Sequence, residues 1–131
     1  MNLAERAGEL AANLAPLPPE ERLEALMEMG DRLGERTDWQ DNERVIGCQS
    51  TVFLRVTGEP DEVHVTAWSD AIMVRGLLAG LIAICDGAKE EEVRAFDYVA
   101  WLKEVGIGLS MTRLKGIASA QDHMRRALPT L

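Results

Sequence analysis

Apolar residues fall at helical spacing at the start of the chain. Leu3, Ala7, Leu10, Ala11 and Leu14 mark one face and predict a helix over residues 2–14. The run Ala15-Pro16-Leu17-Pro18-Pro19 breaks it. A second helix starts on Pro18 or Pro19, where a proline suits the first turn and Glu20 and Glu21 suit the positive end of the dipole. Its stripe is Leu23, Leu26, Met27 and Leu33, weakened at the end by Gly30 and Gly34. Residues 34–42 are polar and looped, with Trp39 either covering an edge of the core or meeting a partner.

The period then changes from helix to strand. Val52, Leu54 and Val56 alternate with Phe53, Arg55 and Thr57. After a turn at Gly58-Glu59-Pro60-Asp61, Val63, Val65 and Ala67 alternate with His64, Thr66 and Trp68. This predicts a β-hairpin with one aliphatic and one mixed face. Arg44–Ile46 is a candidate third, short strand.

Ser69 or Asp70 is the expected cap of a long helix whose buried stripe is Val74, Leu77, Leu78, Leu81, Ile82 and Cys85. Gly76 and Gly80 on its flank permit close backbone approach, and Asp86-Gly87 ends it. A short acidic helix over Lys89–Ala95 and another over Asp97–Val105 follow. A last helix, capped by Ser110 or Thr112, turns Leu114, Ile117, Ala118, Met124 and Leu128 inward and stops at Pro129. Helices, hairpin, helices is an α+β order. The economical architecture is an antiparallel hairpin or meander sheet with helices packed on one face.

With 131 residues, the chain suits one domain with one core over residues 1–131. A net charge of −8 argues against binding nucleic acid or an anionic membrane surface. The most apolar stretch, Ala71 to Cys85, contains Arg75 and falls short of the roughly 20 residues that span a bilayer. No signal peptide is expected at the N-terminus. Cys48 and Cys85 show no CxxC spacing, so a reducing, cytoplasmic setting is the simpler expectation.

The chemistry concentrates in Arg44-Val45-Ile46-Gly47-Cys48-Gln49-Ser50-Thr51. Gly47 allows a sharp turn, and Gln49 and Ser50 can bond the loop backbone or a sulfur. Cys48 is then either a small residue at the rim of the core or a nucleophile, and a nucleophile calls for a cationic or dipolar neighbour that favours the thiolate. Arg44 is near in sequence. Cys85 completes a helix stripe and reads as packing. Arg113 stands in the first turn of the last helix, where a cation opposes the dipole; either solvent exposure or a second role accounts for it. The soft metal ligands Cys48, Cys85, His64 and His123 do not stand at ligand spacing, and both histidines read as surface residues. No metal site or resident cofactor is expected.

Three separated blocks resemble the SufE family: Glu43-Arg44-Val45-Ile46-Gly47-Cys48-Gln49-Ser50 with Val52-Phe53-Leu54, then Ser69-Asp70-Ala71 with Ile72, Val74, Arg75, Gly76 and Leu77-Leu78, then Leu109-Ser110-Met111-Thr112-Arg113 with Gly116. The resemblance runs from the second helix to the last. Phe53 stands where the family often has Trp, Met111-Thr112 where it tends to have Pro-Ser, and Lys115 where it tends to have Asn or Gln. The resemblance implies the α+β fold shared with IscU-like scaffolds. It implies a sulfur acceptor that takes persulfide sulfur from a pyridoxal-phosphate cysteine desulfurase of the SufS or CsdA kind, stimulates it, and passes sulfur to an iron–sulfur scaffold or another acceptor. Pyridoxal phosphate belongs to that partner, and the chain is a transfer partner rather than a stand-alone enzyme. Cys48 is implied as the persulfide carrier. Gly47, Gln49 and Ser50 would shape its loop, and Asp70 and Arg113 would support the loop or the partner contact. Homodimerisation is left open. Two other readings stand beside this one: a zinc- or cluster-binding scaffold of related fold, and a non-catalytic interaction domain.

Overall fold

A computed structural model of the chain describes residues 1–129. Helices α1 (Leu3–Leu14) and α2 (Pro19–Gly30) precede a hairpin of β1 (Val52–Glu59) and β2 (Glu62–Ser69). Helices α3 (Ile72–Cys85), α4 (Glu90–Ala95), α5 (Tyr98–Val105) and α6 (Met111–Arg126) follow. The strands pair antiparallel, from Val52 opposite Ser69 to Glu59 opposite Glu62. The alternation buries Val52, Leu54, Val63, Val65 and Ala67 beneath the helices.

Helix α3 is the centre of the core. It packs against α2, β2 and α1. Because it is enclosed on several sides, its burial is wider than a stripe: Gly76 through Leu81 are all buried, with Ile84 and Cys85. Leu77, Leu78 and Ile84 are fully enclosed, each contributing ~1.5–3 kcal/mol by removal from water. The α2–α3 crossing depends on bare backbone. A Cβ on Gly76 would lie 2.7 Å from Met27 Cα, and one on Gly30 would lie 2.8 Å from the Gly76 nitrogen. Tyr98 closes the other flank, its hydroxyl donating to the Leu77 carbonyl at 2.6 Å.

Several local expectations change. Neither Ser69 nor Asp70 caps α3: the N-cap is Ala71, with no side-chain cap bond. Ser69 Oγ instead accepts from the Ala71 N–H, and the Asp70 carboxylate is engaged at the mouth of β1. Helix α2 ends at Gly30, so Leu33 lies beyond it. Arg44 forms a single bridge to Phe53 rather than a third strand, because the chain turns away at Gly47. In α6 the buried residues include Ala120 and Gln121, while Ala118 is half-buried. Gln121 Oε1 accepts from the Tyr98 N–H at 2.5 Å and ties α6 to the start of α5.

The mixed face of the hairpin is covered by the segment that leads to the cysteine loop. Trp39 stacks on Phe53 at 5.4 Å between centroids and 5° between planes. Arg55 lies over the Trp39 ring and grips Glu43 with two nitrogens, at 2.5 and 2.9 Å. This clamp anchors residues 38–43 just before the functional loop begins.

Candidate functional site

The loop between Arg44 and Thr51 is held at both ends. At its entry the Val45 N–H donates to the Val52 carbonyl at 2.8 Å, which buries Val45 and turns Ile46 outward. At its exit Thr51 and Asp70 bond reciprocally. The Thr51 N–H donates to Asp70 Oδ1 at 3.1 Å, and the Asp70 N–H donates to the Thr51 carbonyl at 3.4 Å. Between these anchors Gly47 has a φ of 97°, a region that favours glycine. A Cβ there would also lie 2.7 Å from Ser119 Oγ.

This turn lays the loop along α6 and brings Cys48 to Gly116. The thiol donates to the Gly116 carbonyl across 3.3 Å. A Cβ on Gly116 would sit 3.7 Å from the sulfur. The half-buried thiol opens on a cavity of about 260 Å³ whose walls include Gln49, Ser50, Val74, Ser110, Arg113 and Ile117. Arg113 is held in the first turn of α6, its N–H donating to the N-cap Ser110 Oγ at 3.3 Å. Its guanidinium has no hydrogen-bond or ion-pair partner among the described residues, and Arg113 lines the cavity that the sulfur opens on.

The structure therefore gathers Cys48, Gln49, Ser50 and Arg113 around one cavity. Gly47 and Asp70 act from outside it, on the shape and the anchoring of the loop. Sequence reasoning does not single out Gly116, Ser110 and Thr112 as site residues. Gly116 carries a signal all the same, since a mid-helix glycine is unfavourable by about 1 kcal/mol against alanine and asks for a reason. Here the reason is the space left for a sulfur.

The expected thiolate-favouring neighbour is not realised. Burial pushes the Cys48 thiol up from its ordinary value, and no cation forms an ion pair with it. In the free protein the group is a protonated thiol, bonded to a carbonyl that prefers a donor. Cys85 is fully enclosed on α3 and is pushed up to about 12, mainly by burial. Neither histidine lines the Cys48 cavity. His64 is exposed beside Asp86. His123 is not a surface residue: it is half-buried between α6 and β1, with Nε2 against the Leu54 carbonyl at 3.1 Å. Among the described residues, no group of three His, Cys, Asp or Glu side chains is placed to hold a metal ion.

A family model described as "SufE: Fe-S metabolism associated domain" matches residues 9–128. The chain belongs to the SufE family. Membership places it in iron–sulfur metabolism. An uncharacterised SufE-like protein of Rhizobium etli is 30% identical over 114 residues, covering 81% of this chain and 77% of that protein. An uncharacterised SufE-like protein of Rhizobium meliloti is 32% identical over 108 residues, covering 76% and 77%. The same fold also appears in the solution structure of a hypothetical protein from Thermus thermophilus. That structure superimposes with a TM-score of 0.75 at 21% identity over 93% of this chain and 92% of that one. No helix among the described residues is long and apolar enough to cross a membrane.

Proposed function

We propose that the chain is a sulfur carrier of iron–sulfur metabolism. Cys48 takes the outer sulfur from a persulfide on a PLP-dependent cysteine desulfurase and hands it to an iron–sulfur scaffold or another acceptor. In the first transfer the Cys48 thiolate attacks the outer sulfur of the donor persulfide. A new S–S bond forms on Cys48, the donor's S–S bond breaks, and the donor cysteine leaves as a thiolate. The outer sulfur keeps its proton, so the step needs no external oxidant or reductant. Stimulation of the desulfurase follows, because its own persulfide is removed.

The observation that carries this reading is the half-buried Cys48 thiol at the wall of a cavity of about 260 Å³. That space accommodates one further sulfur atom beside Gly116, and Arg113 is among the residues that line it. A terminal persulfide is a stronger acid than a thiol, so it would be held there as an anion. The free thiol is quiescent because it is desolvated and protonated. Docking must expose it, and the Gly47 turn between two fixed anchors is the natural place for the loop to swing out.

The test is intact mass after incubation with cysteine and a SufS-type desulfurase. Wild type is expected to gain about 32 Da, one sulfur, reversed by reductant, and Cys48→Ser to gain nothing. Absence of the gain in wild type, with no stimulation of the desulfurase, would overturn the reading and leave an interaction domain as its replacement.

A further inference from the structure

Few large apolar side chains remain exposed among the described residues. They are Met1, Ile46, Ile72 and Met111, and Ile46 is 79% exposed. Ile46 lines a cleft next to the cysteine cavity, and Ile72 and Met111 stand close in sequence to residues that line the cavity itself. Ile46 is two residues before Cys48. Met111 lies between Ser110 and Thr112, which line the cavity, and Ile72 lies in the first turn of α3, two residues before the lining residue Val74. Of these, Ile46 is the one that lies in a cleft, beside the loop that carries the reactive centre.

Two cations stand together in that cleft. Arg36, Arg55 and Arg94 are bound to Asp38, Glu43 and Glu90. Arg44 and Arg126 make no side-chain hydrogen bond or ion pair among the described residues. Both line a second cleft of about 420 Å³, together with Ile46, His123 and Asp41. This cleft continues the cysteine cavity along α6: Cys48 lies at Gly116, Gly47 at Ser119, and Ile46 at His123 and Arg126. Asp41 is the only carboxylate among the residues that line it. In a chain of net charge −8, a cleft with two unpaired guanidiniums is a place where an acidic surface meets attraction rather than repulsion.

We infer that the cleft formed by Arg44, Ile46 and Arg126 is an anchor site for an acidic segment with an apolar tip on the protein that donates sulfur to Cys48. This rests on the sulfur-carrier reading and adds the chemistry of the partner's docking face. The two arginines steer and orient the encounter, and Ile46 meets the apolar tip. Both act before any contact with the thiol. Complementary charge of this kind acts mainly on the rate of encounter and is lost with salt.

The experiment compares sulfur loading by the SufS-type desulfurase at subsaturating concentration for four proteins: wild type, Arg44→Glu with Arg126→Glu, Ile46→Ser, and a charge-matched control of Arg32→Glu with Lys103→Glu. Arg32 and Lys103 are exposed and outside the cleft. The cleft double variant is expected to load at least about tenfold more slowly at low salt, the low end of what electrostatic steering supplies. Added salt should slow wild type and the control but not the cleft variant. Ile46→Ser should load more slowly at every salt concentration. The rate of Cys48 alkylation by iodoacetamide, a small neutral reagent, should be the same in all four. Equal loading by the cleft variant and wild type would overturn the anchor, as would equal slowing in the control. A parallel fall in alkylation would also overturn it, by placing the arginines' effect on the thiol. Failure of wild type itself to take up sulfur would mean that the carrier reading has failed, and the anchor falls with it.

Discussion

The two cysteines occupy opposite kinds of place. Cys85 lies on α3 at the centre of the core, wholly enclosed, with its thiol pushed up to about 12. Cys48 lies on a loop, half-buried, also pushed up by desolvation. Both are therefore thiols in the free protein, and protonation state alone does not separate a reactive cysteine from an inert one. What separates them is the wall. Cys85 meets packed side chains on every side. Cys48 faces an open cavity that Arg113 also lines, and the loop around it is built on a glycine turn. One site can change its exposure without unpacking the core; the other cannot.

The sharpest way to break this comparison is to remove each sulfur in turn. Cys48→Ser is expected to abolish sulfur loading and desulfurase stimulation completely, while Cys85→Ala keeps both and lowers stability. Mass spectrometry and chemical denaturation read the two effects. Next comes the pH dependence of alkylation. Because burial raises the Cys48 pKa from its ordinary value, its rate with iodoacetamide should still be climbing with pH between about pH 8 and 9, following the thiolate fraction. Cys85 should stay unmodified until the protein unfolds. A plateau for Cys48 at neutral pH would show an activated thiolate and reverse the contrast.

Glycines extend the comparison from the thiols to the regions that hold them. Gly76→Ala places a Cβ against the Met27 backbone at 2.7 Å, so the α2–α3 crossing must open. Urea denaturation should show a loss of ~1–3 kcal/mol, the usual effect of overpacking. Gly116→Ala meets only the Cys48 sulfur, at 3.7 Å, and gains helix propensity. Its stability should rise by no more than about 1 kcal/mol, while the cavity beside the sulfur narrows. The smallest expected effect concerns His123. Burial lowers its pKa below the ordinary 6.5, so the unfolded chain takes up the proton first. Its contribution is whole above pH 6.5 and is lost as pH falls toward the folded value. His123→Gln should remove that part of the acid destabilisation and leave the rest of the pH profile in place.

Much of the fold is legible in local pattern. The 3.6-residue stripes of α1 and α6 and the twofold alternation of Val52–Val56 and Val63–Ala67 each follow from one buried face, so each leaves its period in the sequence. Helix α3 is legible as a helix but not in its full burial, since a helix enclosed on several sides has no polar face to set a period. The caps are harder. Ser69 and Asp70 are good cap residues by type, yet both engage other backbone, and only the distance from Asp70 to Thr51 decides that. His123 reads as a surface residue because it stands near the end of the last helix. The carbonyl that receives it, on Leu54, lies 69 residues away in sequence.

The sequence by itself determined the order of elements and the Gly-Cys loop ahead of the hairpin. Through its three motif blocks it also determined membership of the SufE family. These are short-range properties of periodicity, turn chemistry and residue identity. Only the tertiary structure decided the surroundings of Cys48. Gly116 and Arg113 are far from it in sequence and reach it because the helix that carries them packs on β1. The same packing sets the desolvation that keeps the thiol protonated, and it leaves Arg44, Ile46 and Arg126 together beside it. Desolvation and unpaired charge are sums over everything that surrounds a group, and that sum exists only once the chain has folded.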